Sequence, residues 1–139
     1  MKTSFADNGK LIFRVITVTL VVVLLAALFI FGSVNAKFDA DGIALSATLT
    51  PQVKILYDEI ESVELKNNFN AGVRTFGIGG GKLLAGNFTN NEYGNYKLFS
   101  YSNVKRHIVI KTAKGYFVYN LKNDDLTQNS YNDLLAKIS

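Results

Sequence analysis

Three stretches of the sequence carry residue types that could do chemistry. The first is RTFGIGGGKLLAGNF, Arg74–Phe88, with five glycines, an arginine and a lysine. That is the composition of a phosphate cradle, but the spacing is wrong. A Walker A loop needs G-x-x-x-x-G-K-[ST]; counting back from Gly81-Lys82 finds Phe76 at the first glycine position, and Leu83 follows the lysine. A dinucleotide fingerprint needs G-x-G-x-x-G opening a helix; Gly77 and Gly79 match, Lys82 fills the third place, and Leu83–Phe88 reads as strand. The glycines are therefore expected to let a loop between strands bend, and nucleotide binding is not expected.

The second stretch is Lys105-Arg106-His107, which with Lys111 and Lys114 forms the densest basic segment. His107 is the single histidine and cysteine is absent, so the convergent ligands of a metal centre are missing. His107 is expected as a surface or strand-edge imidazole beside two cations. Lys105, Arg106, Lys111 and Lys114 are the candidate contacts for anionic lipid head groups, each cation being worth ~1 kcal/mol near such a surface. The third stretch holds Asp58, Glu59, Glu61 and Glu64. Paired-carboxylate hydrolysis needs a defined spacing across a cleft, whereas a solvated turn and strand face explains these four. No nucleophile can be set beside a base, so neither catalysis nor a cofactor is expected.

The elements that must position these residues begin with a membrane segment. Val15–Val34 contains no charge in twenty residues, ~30 Å as a helix, the thickness of a bilayer's hydrocarbon. The expected organisation is an N-terminal tail over 1–14, a transmembrane helix over 15–34 and a globular domain over 37–139. A cleavable signal peptide is the rival, with Val34-Asn35-Ala36 as its cleavage site, although a signal core runs only ~7–15 residues. Lys2, Lys10 and Arg14 precede the span and Lys37 follows it. The positive-inside rule then keeps the N-terminus in the cytoplasm and places the domain outside it. Residues 37–139 hold twelve cations and ten anions, too even a balance for a nucleic-acid surface.

After Ala36 the pattern changes to period two. Asp41-Gly42 reads as a hairpin turn between Lys37–Ala40 and Ile43–Thr48. Further strands are expected at Val53–Leu56, Ser62–Lys66, Val73–Ile78, Lys82–Thr89, Tyr96–Tyr101, His107–Thr112 and Tyr116–Leu121. Asn123-Asp124-Asp125 then offers a helix start, and Thr127, Tyr131, Leu134, Leu135 and Ile138 follow a helical stripe. Leu134 and Leu135 are both expected to be buried. Tyr93, Tyr96, Phe99, Tyr101, Tyr116, Phe117 and Tyr119 crowd the second half, and the outward members of that set would suit a protein-binding face.

The segments YDEIESVEL (57–65), RTFG (74–77), AGNFTNNEYGNYKLFSY (85–101), HIVIKTAKGYFVYN (107–120) and TQNSYNDLL (127–135) together resemble the bacterial pleckstrin-homology (PH) domains found behind transmembrane helices. The resemblance covers roughly residues 37–139. It implies a mainly β fold, a PH-like antiparallel barrel of about seven strands capped by one C-terminal helix, and no enzyme activity. Phosphoinositide binding is not carried over: the eukaryotic type uses a basic first hairpin loop, and here that turn is Asp39-Ala40-Asp41-Gly42. The expected protein is a single-pass membrane protein with a non-catalytic binding or self-assembly domain. Its partner would be another protein or a second copy, through a strand edge or an aromatic face. Anionic lipid contact through the basic hairpin is the alternative.

Overall fold

The computed structural model describes residues 3–139, with side-chain environments from residue 7 onward. It divides into two units, 1–31 and 32–139. The first is a single helix, α1 (Thr3–Phe31). Its segment Asp7–Phe31 is long and apolar enough to cross a membrane, reaching ~37 Å at ~1.5 Å per residue. Its apolar residues fall on every face of the helix, a composition that suits a membrane span or a signal sequence alike. Val34, which hydropathy alone assigns to the span, opens the first strand instead.

The second unit is mainly β with one C-terminal helix, as its resemblance implies. The described residues form nine strands in two sheets, and the sheets do not close into a barrel. β1 (Val34–Phe38), β2 (Gly42–Ala47) and β3 (Val53–Leu56) make a three-stranded meander. A single 3₁₀ turn, Tyr57–Glu59, leads into the second sheet. That sheet holds β4 (Ile60–Lys66), β5 (Val73–Gly80), β6 (Leu83–Asn90), β7 (Gly94–Tyr101), β8 (His107–Thr112) and β9 (Gly115–Tyr119). Its spatial order is β4-β8-β9-β7-β6-β5. Every pairing is antiparallel except β7 with β9, which is parallel.

Alternation sends the side chains of the six-stranded sheet into two separate clusters. Leu83, Ala85, Phe99, Ile108, Ile110 and Tyr119 face Ile43, Leu45 and Ile55 of the small sheet and form the main core. Phe88, Tyr96, Leu98, Val109 and Val118 point the other way into a second cluster, covered by Phe69 and Ala71 from the β4–β5 connection.

The closing helix is α2 (Asp124–Ile138). The Asn123 side chain accepts the Leu126 N–H at 2.8 Å as its N-cap, and Asp124 and Asp125 complement the first turn. Leu134 is fully buried in the main core, but Leu135 is exposed. Only one of the two leucines expected inside can face the sheet, since adjacent helical positions lie ~100° apart. A 2.7 Å hydrogen bond between the buried Tyr119 hydroxyl and Ser130 fixes the helix in register.

Candidate functional site

β5 ends the six-stranded sheet and pairs only with β6. One side of its backbone is therefore free of sheet partners, the arrangement that natural sheets usually blunt with lysine, proline or a covering element. Here the strand runs eight residues, Val73 through Gly77 are all exposed, and Arg74 is its one charge. A bulge lies between Arg74 and Phe76, where the Thr75 hydroxyl donates to the Asn87 carbonyl at 3.1 Å.

The glycines explain the shape of this edge. Gly77 and Gly86 are register partners with φ of 114° and 128°. A Cβ on Gly77 would lie 2.2 Å from the Ala85 carbonyl oxygen, and one on Gly86 2.3 Å from that of Phe76. The two backbones approach closely because neither carries a side chain. Gly79 leaves room on the same face for Arg74, whose guanidinium donates to the Gly79 carbonyl at 3.2 Å. The run is thus a bent hairpin in which Gly77, Gly79 and Gly80 lie within β5 and Gly86 within β6, and only Gly81 falls in the connecting turn where the sequence pattern puts the glycines.

A cleft of about 110 Å³ opens beside this edge, between Leu49, Pro51 and Val53 on one lip and Phe76 on the other. Phe99 lies at its wall and Lys97 lines its rim, the Lys97 ammonium donating to Asn87 Oδ1 at 3.2 Å. Leu49 and Phe76 are 71% and 72% exposed. Leu49 also sits at φ 60°, a conformation unusual for a residue with a branched side chain. The turn that carries it is pinned: Thr48 N–H donates to the Ser33 carbonyl at 3.0 Å, and Ser33 N–H donates to the Thr48 hydroxyl at 2.9 Å.

The four basic candidates are not brought together. Lys105 and Arg106 precede β8, while Lys111 and Lys114 lie at its far end, and six strand residues separate the ends by roughly 17 Å. Lys111 meets Glu61 at 3.8 Å and Lys114 meets Glu59 at 3.1 Å. The acidic cluster is therefore partly the counter-charge of the basic one, and the Lys114 hydrogen bond holds the Glu59 carboxyl below its usual range. Arg106 Nη1 donates to Gln128 of α2 at 3.2 Å. Lys105 is exposed and forms no ion pair among the described residues.

His107 lies inside the protein, contrary to the surface position its sequence neighbours imply, with 7% of its surface exposed. Its Nε2 lies 2.7 Å from the Ser100 hydroxyl and its Nδ1 lies 3.1 Å from the Lys105 carbonyl. The Phe69 ring covers it with centroids 4.8 Å apart. Burial pushes the imidazole's pKa down from its ordinary value and so favours the neutral ring. A hydroxyl–imidazole pair could serve nucleophilic catalysis, but Ser100 has no exposed surface. Asn120, also fully buried, ties the same region by accepting the Tyr101 N–H at 2.6 Å and donating to the Val104 carbonyl at 3.2 Å. This is a satisfied polar network inside the fold.

The aromatic face expected from the tyrosine-rich second half is also covered. Tyr96, Phe99 and Tyr119 are buried, and Tyr93, Tyr101, Tyr116 and Phe117 are partly buried. The Tyr96 hydroxyl donates to the Ala71 carbonyl at 2.6 Å, tying the covering loop down. Sequence reasoning missed Leu49, whose only signal is an apolar residue within the turn TLTPQ (48–52). Among the described residues no three His, Asp or Glu side chains converge on a point.

No curated protein and no solved structure matches the chain. The family model of the bacterial PH domain matches residues 34–125. That match starts at the first residue of β1 and ends in the first turn of α2, so it takes in both sheets, the open β5 edge and the cleft. The chain belongs to the bacterial PH domain family and carries an N-terminal apolar helix ahead of that domain.

Proposed function

We propose that this is a single-pass membrane protein whose PH-like domain is a non-catalytic binding or self-assembly module, and that β5 is the edge it binds with. The observation that carries the reading is the long, exposed, nearly uncharged end strand Val73–Gly80. An added strand, from a partner protein or a second copy, would satisfy its free N–H and C=O groups, with backbone bonds supplying affinity. The reading of α1 as an uncleaved anchor is supported by Val34. It is 5% exposed and pairs with Ala47, so cutting after Ala36 would remove three of the five residues of β1.

Hydrogen exchange of residues 73–80 tests the edge. Their amides should exchange more slowly in native membranes than in the purified protein, and equal exchange would refute the reading. The count of three cations before the span against Lys37 after it supports an orientation with the domain outside the cytoplasm. Protease added to intact cells should then digest a tagged C-terminus; protection until lysis would reverse it.

The alternative, contact with anionic lipid through Lys105, Arg106, Lys111 and Lys114, keeps one observation in its favour: Lys105 is exposed and has no ion pair among the described residues. Such attraction fades as salt screens it, whereas a strand pairing persists.

A further inference from the structure

The apolar lip formed by Leu49 and Phe76 has no partner within the domain, yet the covalent chain restricts what can cover it. α1 is apolar to its last residue, Phe31, and Gly32-Ser33 alone joins it to β1. Two residues reach at most ~7 Å. Ser33 is bonded on both its N–H and C=O to Thr48, the residue before Leu49. Adding one cross-strand step of ~5 Å and one residue of ~3.8 Å keeps the Leu49 backbone within about 16 Å of the last residue of α1 by chain connectivity alone.

That bound is about twice the depth of the interfacial zone, so the tether keeps the lip within reach of the zone and its exposed apolar side chains are what would draw it in. A bilayer's polar layers add ~5–7 Å on each side of its hydrocarbon, and apolar faces of surface elements sink ~5–10 Å into that boundary. Leu49 is held at φ 60° and projects outward; Phe76 projects from the opposite lip of the same cleft. Both leave water if the lip lies in the interface. Lys97 on the rim would then place an ammonium among head-group phosphates.

From this we infer that Leu49 and Phe76 are a second membrane contact. They embed in the interfacial zone of the leaflet from which α1 emerges and hold the domain against the bilayer. The inference rests on the reading of α1 as a transmembrane anchor. It adds that the β5 edge is presented close to the membrane surface, so the segments it can pair with are membrane-proximal ones. It also places at the bilayer the opposite end of the small sheet from Lys114. Lys114 is bonded to Glu59, whose carboxylate accepts the Leu56 N–H, and Leu56 pairs with Gly42 at the far end of β2.

The chain has no tryptophan, so single-tryptophan variants of the full-length protein report cleanly. They are placed in vesicles of phosphatidylcholine and phosphatidylglycerol whose acyl chains are brominated at shallow or deep positions. Leu49→Trp and Phe76→Trp should be blue-shifted and quenched more by shallow than by deep bromines, as a side chain ~5–10 Å into the interface would be. Lys114→Trp should be unaffected, and Val22→Trp, within α1, should be quenched by deep bromines. If Val22→Trp is quenched while Leu49→Trp and Phe76→Trp are not, the lip inference fails and the anchor stands. An unquenched Val22→Trp removes the anchor itself. Quenching of Lys114→Trp in place of the lip would put the basic hairpin on the membrane and overturn the inference. A blue shift at Leu49→Trp without quenching, rising with protein density, would mean that a second copy covers the lip and would equally overturn it.

Discussion

The Tyr101 hydroxyl accepts a 3.1 Å hydrogen bond from the backbone N–H of Val34. The bond joins a residue three positions beyond α1 to the last residue of β7, an interior strand of the large sheet, and it makes the start of β1 part of the domain. Tyr101→Phe would leave that N–H unpaired and should cost about 1–3 kcal/mol, measured by denaturation of the full chain in detergent. Mass spectrometry of the protein from its membranes should likewise find it uncut between Ala36 and Lys37. A product beginning at Lys37 would mean that the domain tolerates losing most of its first strand.

The Gly77–Gly86 pair makes a second prediction. Alanine at either position must hold a positive φ and also displace a carbonyl oxygen that its Cβ would approach to 2.2–2.3 Å. Each should destabilise by at least ~2 kcal/mol. Gly115→Ala shares the positive φ but meets nothing within 4 Å, so it should cost only about 1 kcal/mol. Thermal denaturation of the three variants side by side reads the difference.

Adjacent leucines in α2 should behave differently. Leu134→Ala empties a fully buried site in the main core and should cost ~2–5 kcal/mol. Leu135→Ala, on the exposed side, should stay within ~0.5 kcal/mol. Similar losses at both positions would contradict the way the helix is seated.

His107 predicts a pH dependence with a definite sign. Burial among Phe69, Ser100 and Asn120 lowers its pKa, while the unfolded chain takes up a proton below ~6.5. The unfolded state therefore binds more protons just below that pH, and stability should be full above ~6.5 and fall as the pH drops toward 5. The slope is at most ~1.4 kcal/mol per pH unit. Lys105, Arg106 and Asp124 are the charged groups nearby, and Asp124 opposes the shift in part. His107→Gln should flatten the profile between pH 7 and 5.5 in melts of the full chain; an unchanged slope would assign the dependence to carboxylates.

Much of the fold is legible in the sequence because it is encoded locally. The uncharged apolar run, the Asp41-Gly42 and Lys114-Gly115 turns, the Asn123 cap and the Leu134 stripe all depend on residues within a turn or two of one another. Hydropathy does not mark the end of α1, because Val34 is apolar for a different reason: it faces the core of the domain. The division into two sheets was equally hidden. The parallel β7–β9 pairing and the open seam beside β5 come from contacts between distant segments, which period-two alternation does not specify. The same is true at the site. Phe69, far from His107 in sequence, turns an apparent surface imidazole into a buried one, and its loop covers tyrosines that alternation alone would send to solvent. Leu49 declared itself only through its φ and exposure.

The central claim is that β5 is the binding edge, and a photo-crosslinking residue in place of Val73 in the full-length protein tests it most directly. Irradiation of native membranes in ~1 M salt, where the Debye length is only ~3 Å, should still give a discrete protein adduct. Adding Thr75→Lys, a charge on the exposed edge, should abolish it. An adduct that forms only at low salt and moves to a crosslinker at Lys105, or one indifferent to Thr75→Lys, would contradict the account.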